Sequence, residues 1–269
     1  MTDFSEPAPR PRRVIDFHDR GEVMVYADAE GLAQAAAARF TSIVVDAVNR
    51  RGRAFVALSG GSTPRRMGEL LANRPFREMI PWSDIEIFWG DERWVPLDSD
   101  ESNAGVAKRT LLNHVPVEPS RINPVPTDVA DPGVAATMYI AQLRTVFGVV
   151  DEVPAFDLIF LGLGDDGHTA SLFPGTAALH EDRELVVAHY VPKLDAYRLT
   201  VTPPVLNAGR EVIFLVGGAS KASTLAQVLT GPDRVDELPA QVVRPSSGRL
   251  RWLVDESAAA ELMGPSGGN

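Results

Sequence analysis

Four short runs in this chain carry the side chains best suited to chemistry. In GLGDDGHTASLFPG, residues 162–175, Gly162, Gly164 and Gly167 surround Asp165, Asp166 and His168 just after an apolar stretch. Imidazole titrates near neutrality, so His168 suits general-base work, and Asp166 is placed to orient it or raise its basicity. The bland alternative is a histidine capping a helix that begins near Thr169. His18, His114, His180 and His189 lack a comparable setting, and the last two are not spaced as a metal-binding pair.

The other runs look built for anions. LSGGSTP, residues 58–64, follows an apolar run and opens a helical pattern with Pro64, a favoured first-turn residue. Ser62 and Thr63 offer hydroxyls there, and backbone amides at a helix start attract phosphate. A tight turn with an N-cap explains the same residues without a ligand. FWGDERWVP, residues 88–96, offers Asp91 to sugar hydroxyls and Arg93 as a fork for phosphate or carboxylate, unless the triplet is simply a solvated turn. Lys221 in VGGASKAS is placed like a phosphate ligand; otherwise it is a lysine facing water, slightly unfavourable against the helix dipole. Arg198 begins the run YRLTV just after Lys193. If Arg198 shares a pocket with these loops, it does so from its strand's beginning. Strand 197–201 is therefore expected to run antiparallel to its neighbours.

Positioning these loops requires a frame. EVMVY (22–26), AFVAL (54–58), IEIFW (85–89), FDLIFLG (156–162), EVIFLV (211–216) and RWLVD (251–255) read as strands, several of them continuously apolar. Continuous apolarity marks parallel strands covered on both faces. Leu32, Ala36, Phe40, Ile43 and Ala47 recur at helical spacing. Further helical patterns fit 63–72, 102–114, 132–147 and 220–229. Strand–helix alternation predicts an α/β fold: a doubly wound, mostly parallel sheet flanked by helices, with ligand loops along one edge. The segment 174–193 has weaker signals and is expected to form a small, partly antiparallel insertion. We expect a disordered tail over 1–20, one α/β domain over 21–260 and a flexible tail over 261–269.

Bulk properties narrow the function. The chain has 269 residues, 45% hydrophobic and 23% charged, which suits a soluble domain with a large core. There are no cysteines, which excludes disulfides, thiol catalysis and thiolate metal sites and fits a reducing compartment. A net charge of -10 disfavours nucleic-acid and anionic-membrane partners. No apolar run approaches the length of a membrane span, and the N-terminus lacks the apolar core of a secretory signal.

Taken in order, SGGSTP, WGDERWVP followed by SNAG, GLGDDGHTASLFPG, and YRLTVTPPVLNAG with GGASKA resemble the 6-phosphogluconolactonases. The resemblance runs from about Val23 to Val254. Single loops are shared with glucosamine-6-phosphate deaminases, whereas SLFPG and DERWVP point to the lactonase branch. Asp165, between Gly164 and Asp166, is the one local oddity. The resemblance implies hydrolysis of 6-phospho-D-glucono-1,5-lactone to 6-phosphogluconate in the oxidative pentose phosphate pathway, with no metal and no cofactor. Carried over by position, it implies His168 as the catalytic base. Gly61, Ser62, Thr63, Arg93, Arg198 and Lys221 hold the phosphate or sugar, and Asp91 and Asp166 are polar partners. The expected partner is a phosphorylated sugar lactone, acted on by a cytoplasmic monomer. A deaminating isomerase of amino-sugar phosphates stays open as an alternative. A sugar-phosphate-sensing regulator is a further one, although the roughly 20 residues before the first strand are too few for a helix-turn-helix.

Overall fold

The computed structural model describes residues 9–262. Its strands are β1 (Arg13–Asp16), β2 (Glu22–Tyr26), β3 (Ala54–Leu58), β4 (Ile85–Trp89), β5 (Asp91–Arg93), β6 (Leu158–Leu161), β7 (Val186–Val191), β8 (Ala196–Val201), β9 (Glu211–Val216) and β10 (Arg249–Asp255). Its helices are α1 (Ala29–Arg51), α2 (Ser62–Leu71), α3 (Phe76–Met79), α4 (Asn103–Thr110), α5 (Pro132–Phe147), α6 (Pro203–Asn207) and α7 (Ala222–Thr230).

A seven-stranded sheet has the order β1-β2-β10-β9-β6-β3-β4. All its pairings are parallel except β1 with β2. Alternate side chains of each strand feed separate cores. Val56, Ile87, Phe160, Ile213 and Leu253 pack with Leu32, Phe40 and Val44 of α1 and Leu71 of α2. Ala57, Phe88, Ile159, Phe214 and Val254 pack with Tyr139 and Leu143 of α5 and Leu225 of α7. Burial on both faces is why these strands read as unbroken apolar runs.

The helices begin and end where local chemistry says they should. Asp28 accepts the Gly31 N–H at 2.8 Å to start α1, and Gly52 ends it at φ 76°. Asp131 accepts from Gly133 and Val134 to start α5. These are the N-cap and left-handed C-cap arrangements that satisfy orphan backbone groups.

A second, three-stranded sheet has the order β5-β8-β7. Both of its pairings are antiparallel, as expected for strand 197–201. Gly90 joins the sheets: its N–H donates to Leu58 C=O of β3, and its C=O accepts from Val201 N–H of β8. Segment 174–193 thus supplies β7, preceded by a 3₁₀ turn at Ala177–His180.

Some boundaries differ from expectation. The disordered tail expected over 1–20 is corrected for its later part: Arg13–Asp16 forms β1, in register with Glu22–Val25. Only Ile15 of that strand is buried, so a four-residue run gives almost no periodicity to read. Of the C-terminal tail, Leu262 is buried, and GPSGGN lies outside the described residues. The helix expected over 102–114 stops at Thr110 and continues as a 3₁₀ turn at Leu112–His114. The one expected over 220–229 opens with a 3₁₀ turn at Ala219–Lys221 before α7. At the far edge, Asn123 N–H donates to Ile87 C=O of β4, with Ile122 bridging Ile87.

Candidate active site

The loops after β3, β6 and β9 leave the same edge of the main sheet, with β6 central between β9 and β3. Between them and β5 lies a cleft of about 320 Å3. Gly61, Ser62, Thr63, Asp91, Arg93, His168 and Lys221 all line it. Ser59, Asn103, Gly162 and Gly164 join them. Ligands of open α/β sheets bind at this edge. A roomier groove of about 950 Å3 lies between α5 and β7, but it contains no histidine.

His168 is held through one ring nitrogen, one ring face and its backbone. Its Nδ1 lies 2.5 Å from Asp166 Oδ1, and its ring stacks on Phe173 at 4.2 Å between centroids. Its backbone carbonyl accepts from Gly164 N–H at 2.8 Å. A β-carbon on Gly164 would sit 1.9 Å from His168 Nδ1, so only glycine lets the ring lie there. Gly167 has φ 78°, which glycine adopts without strain. With Nδ1–H donated to Asp166, Nε2 is the basic nitrogen, and it has no partner among the described residues.

Asp166 accepts at both oxygens: His168 on Oδ1, and Lys193 Nζ on Oδ2 at 2.7 Å. Burial opposes its ionisation, but the Lys193 and His168 hydrogen bonds outweigh that and hold the carboxyl well below the usual range. Asp166 therefore stands behind His168 rather than facing the cleft.

On the opposite wall, α2 starts at Ser62 with Gly61 as N-cap at φ 111°, and no side chain caps it. Its first-turn amides are open to an anion. A β-carbon on Gly60 would lie 1.9 Å from Asn103 Oδ1, which fixes how closely α4 approaches this loop.

Asp91, expected to meet sugar hydroxyls, is mostly occupied by the protein. It accepts from Ser171 Oγ at 2.7 Å and Asn103 Nδ2 at 3.2 Å. Its neighbour Glu92 was not singled out from sequence, yet it organises this wall. Glu92 is buried and accepts from Asn103 N–H at 2.7 Å, Ala104 N–H at 2.8 Å and Ser102 Oγ at 3.1 Å, which caps α4. Burial pushes its carboxyl up while these backbone donors pull it down. Asn103, inside the SNAG run, is a further lining residue beyond those expected from the sequence. Its signal was a Ser-Asn pair at a helix start.

Two cations, Arg93 and Lys221, line the cleft, and Arg198 stands beside the first. Arg93 of β5 pairs across the strands with Arg198 of β8. Among the described residues their side chains donate only to backbone carbonyls, Glu101 at 2.6 Å and Tyr197 at 3.2 Å. Burial, and then the adjacent Arg93, depress the basicity of Arg198. Arg198 itself lies one strand behind the lining residues. Lys221 donates to Asp165 at 2.6 Å from the rim.

The sheet, its loop edge, this histidine–aspartate pair and the nearby cations fit an α/β enzyme of phosphorylated small molecules. The chain belongs to the family of glucosamine-6-phosphate isomerases and 6-phosphogluconolactonases, whose model matches residues 27–252. It is 42% identical to a 6-phosphogluconolactonase of a Synechocystis species over 90% of this chain and 98% of that one. A 6-phosphogluconolactonase of Streptomyces coelicolor is 36% identical over 91% and 95%. The solved 6-phosphogluconolactonase of Trypanosoma brucei superposes with TM-score 0.80 at 28% identity, over 90% of this chain and 98% of that one.

Proposed function

We propose that this chain hydrolyses 6-phospho-D-glucono-1,5-lactone to 6-phospho-D-gluconate, with His168 as general base. The observation that carries the reading is His168: Asp166 fixes one ring nitrogen and leaves Nε2 free in a cleft flanked by cations.

Water attacks C1 as Nε2 takes its proton. The C1–ring-oxygen bond then breaks, and the imidazolium returns that proton to the departing ring oxygen. The carboxyl group so formed ionises at neutral pH. Asp166 stabilises the transient imidazolium. Amides of Ser62 and Thr63 at the α2 start supply donors for the phosphate or the C1 oxyanion. Arg93, Arg198 and Lys221 hold the phosphate, and Gly61 lets the substrate approach the backbone. Asp91 keeps Asn103 and Ser171 in place around the sugar. No metal or cofactor enters this reaction.

The domain spans 21–260, extended by β1, and acts as a cytoplasmic monomer. No described helix is long and apolar enough to cross a membrane.

The test is consumption of freshly made lactone above its spontaneous rate. His168→Ala should lose roughly 10²–10⁴-fold in turnover with KM little changed. Unchanged turnover would sink the assignment. Glucosamine 6-phosphate should yield no ammonia.

A further inference from the structure

The short turn Pro192–Leu194 joins β7 to β8. Lys193 in that turn reaches from the antiparallel sheet to the loop after β6 and meets Asp166 Oδ2 at 2.7 Å. Among the described residues it forms no other ion pair. The carboxylate is thus shared between a lysine of one sheet and a histidine of the other.

We propose that Lys193 is a positioning residue for the general base, clamping Asp166 against His168 from the tip of the β7–β8 hairpin. The inference rests on His168 being the base.

Its physical content is twofold. First, a carboxylate with one oxygen anchored has less freedom to rotate away from His168. Second, Lys193 is a cation close to the site where an imidazolium forms. It offsets part of the field of Asp166 and disfavours the protonated ring. The other charged groups around His168 are Asp165 in its own loop, Lys221 after β9, and Asp91, Arg93 and Arg198 from the antiparallel sheet. Behind the loop, Asp236 is paired with His180 and Glu237 with Arg234. Among the described residues, Lys193 is the one lysine or arginine that touches the carboxylate that touches the base.

The experiment follows the His168 ring by NMR titration in the free protein, alongside pH profiles of kcat and KM. Lys193 is 65% exposed, so Lys193→Ala should fold normally. Lys193→Ala should move the His168 titration upward by about half a unit. The acid limb of kcat/KM should move the same way, with kcat a few-fold lower. Lys193→Arg should restore both. An unmoved titration overturns the proposal. So does a rise in KM with an unmoved acid limb, which would make Lys193 a substrate ligand. The titration does not depend on which substrate is turned over, so a failed lactonase assay and a failed clamp are separate results.

Discussion

Asp165 and Asp166 are adjacent, and each accepts from a lysine, yet their settings are opposite. The side chain of Asp165 is 70% exposed and its ion pair is with Lys221; that of Asp166 is 22% exposed and meets both Lys193 and His168. Exposed pairs are worth little because water competes for both partners. A part-buried carboxylate with each oxygen engaged holds its geometry. On the proposed function, the first pair is an exchangeable contact that an incoming phosphate would take over. The second is fixed apparatus.

Removing the charge from the fixed partner should have the largest effect. Asp166→Asn should lower kcat about 10²-fold or more, because the imidazolium loses its counter-charge. The variant should also change acid stability. A depressed carboxyl adds stability that is fully present above its unfolded value and is lost progressively as pH falls from there through the lower folded value. The parent should therefore be more stable than Asp166→Asn above about pH 4, and that advantage should shrink as pH falls below it, read by denaturation followed by circular dichroism at each pH. Equal kcat in both proteins would erase the contrast between the two acids.

Gly164→Ala sharpens the same point through sterics. The new methyl falls on His168 Nδ1, so the ring must leave Asp166. We expect kcat to fall roughly 10-fold with a smaller change in KM. A crystal structure of the variant with the 2.5 Å contact intact would contradict the account.

The smallest effect belongs to the exposed partner, and it has the opposite sign. Asp165→Asn frees Lys221, so KM should fall about 2- to 5-fold, the scale of an exposed ion pair. In a Lys221→Ala background the gain should vanish. A rise in KM on Asp165→Asn would show that this acid serves the substrate instead of competing with it.

The contrast also explains what was readable beforehand. His168, Asp166 and their glycines lie within one run, so their association is local and legible. Glu92 is different: it sits in a charge triplet that looks like any solvated turn, and its partners come from the start of α4, eleven residues on. Only folding reveals that it caps a helix. Lys193 and Asp166 are 27 residues apart and belong to different sheets. Nothing in either segment alone announces the contact. Arg198 was intermediate. Its position at the start of a run, against a pocket built from strand ends, was enough to infer the strand's direction but not its pairing with Arg93. The main-sheet strands were legible because both faces are buried. β1 was not, because only Ile15 of its residues is buried.

That short strand has a consequence for the life of the molecule in a crowded solution. A long parallel sheet ends in unpaired amides and carbonyls that invite another chain to add on. Here β2 is shielded by four residues of antiparallel strand that begin with Arg13 and follow Arg12, which is ion-paired with Glu256. At the other margin the Ile122–Asn123 segment takes up a carbonyl of β4. Each margin of the larger sheet thus carries a feature that discourages strand addition, a short strand rich in charge on one side and an already occupied carbonyl on the other.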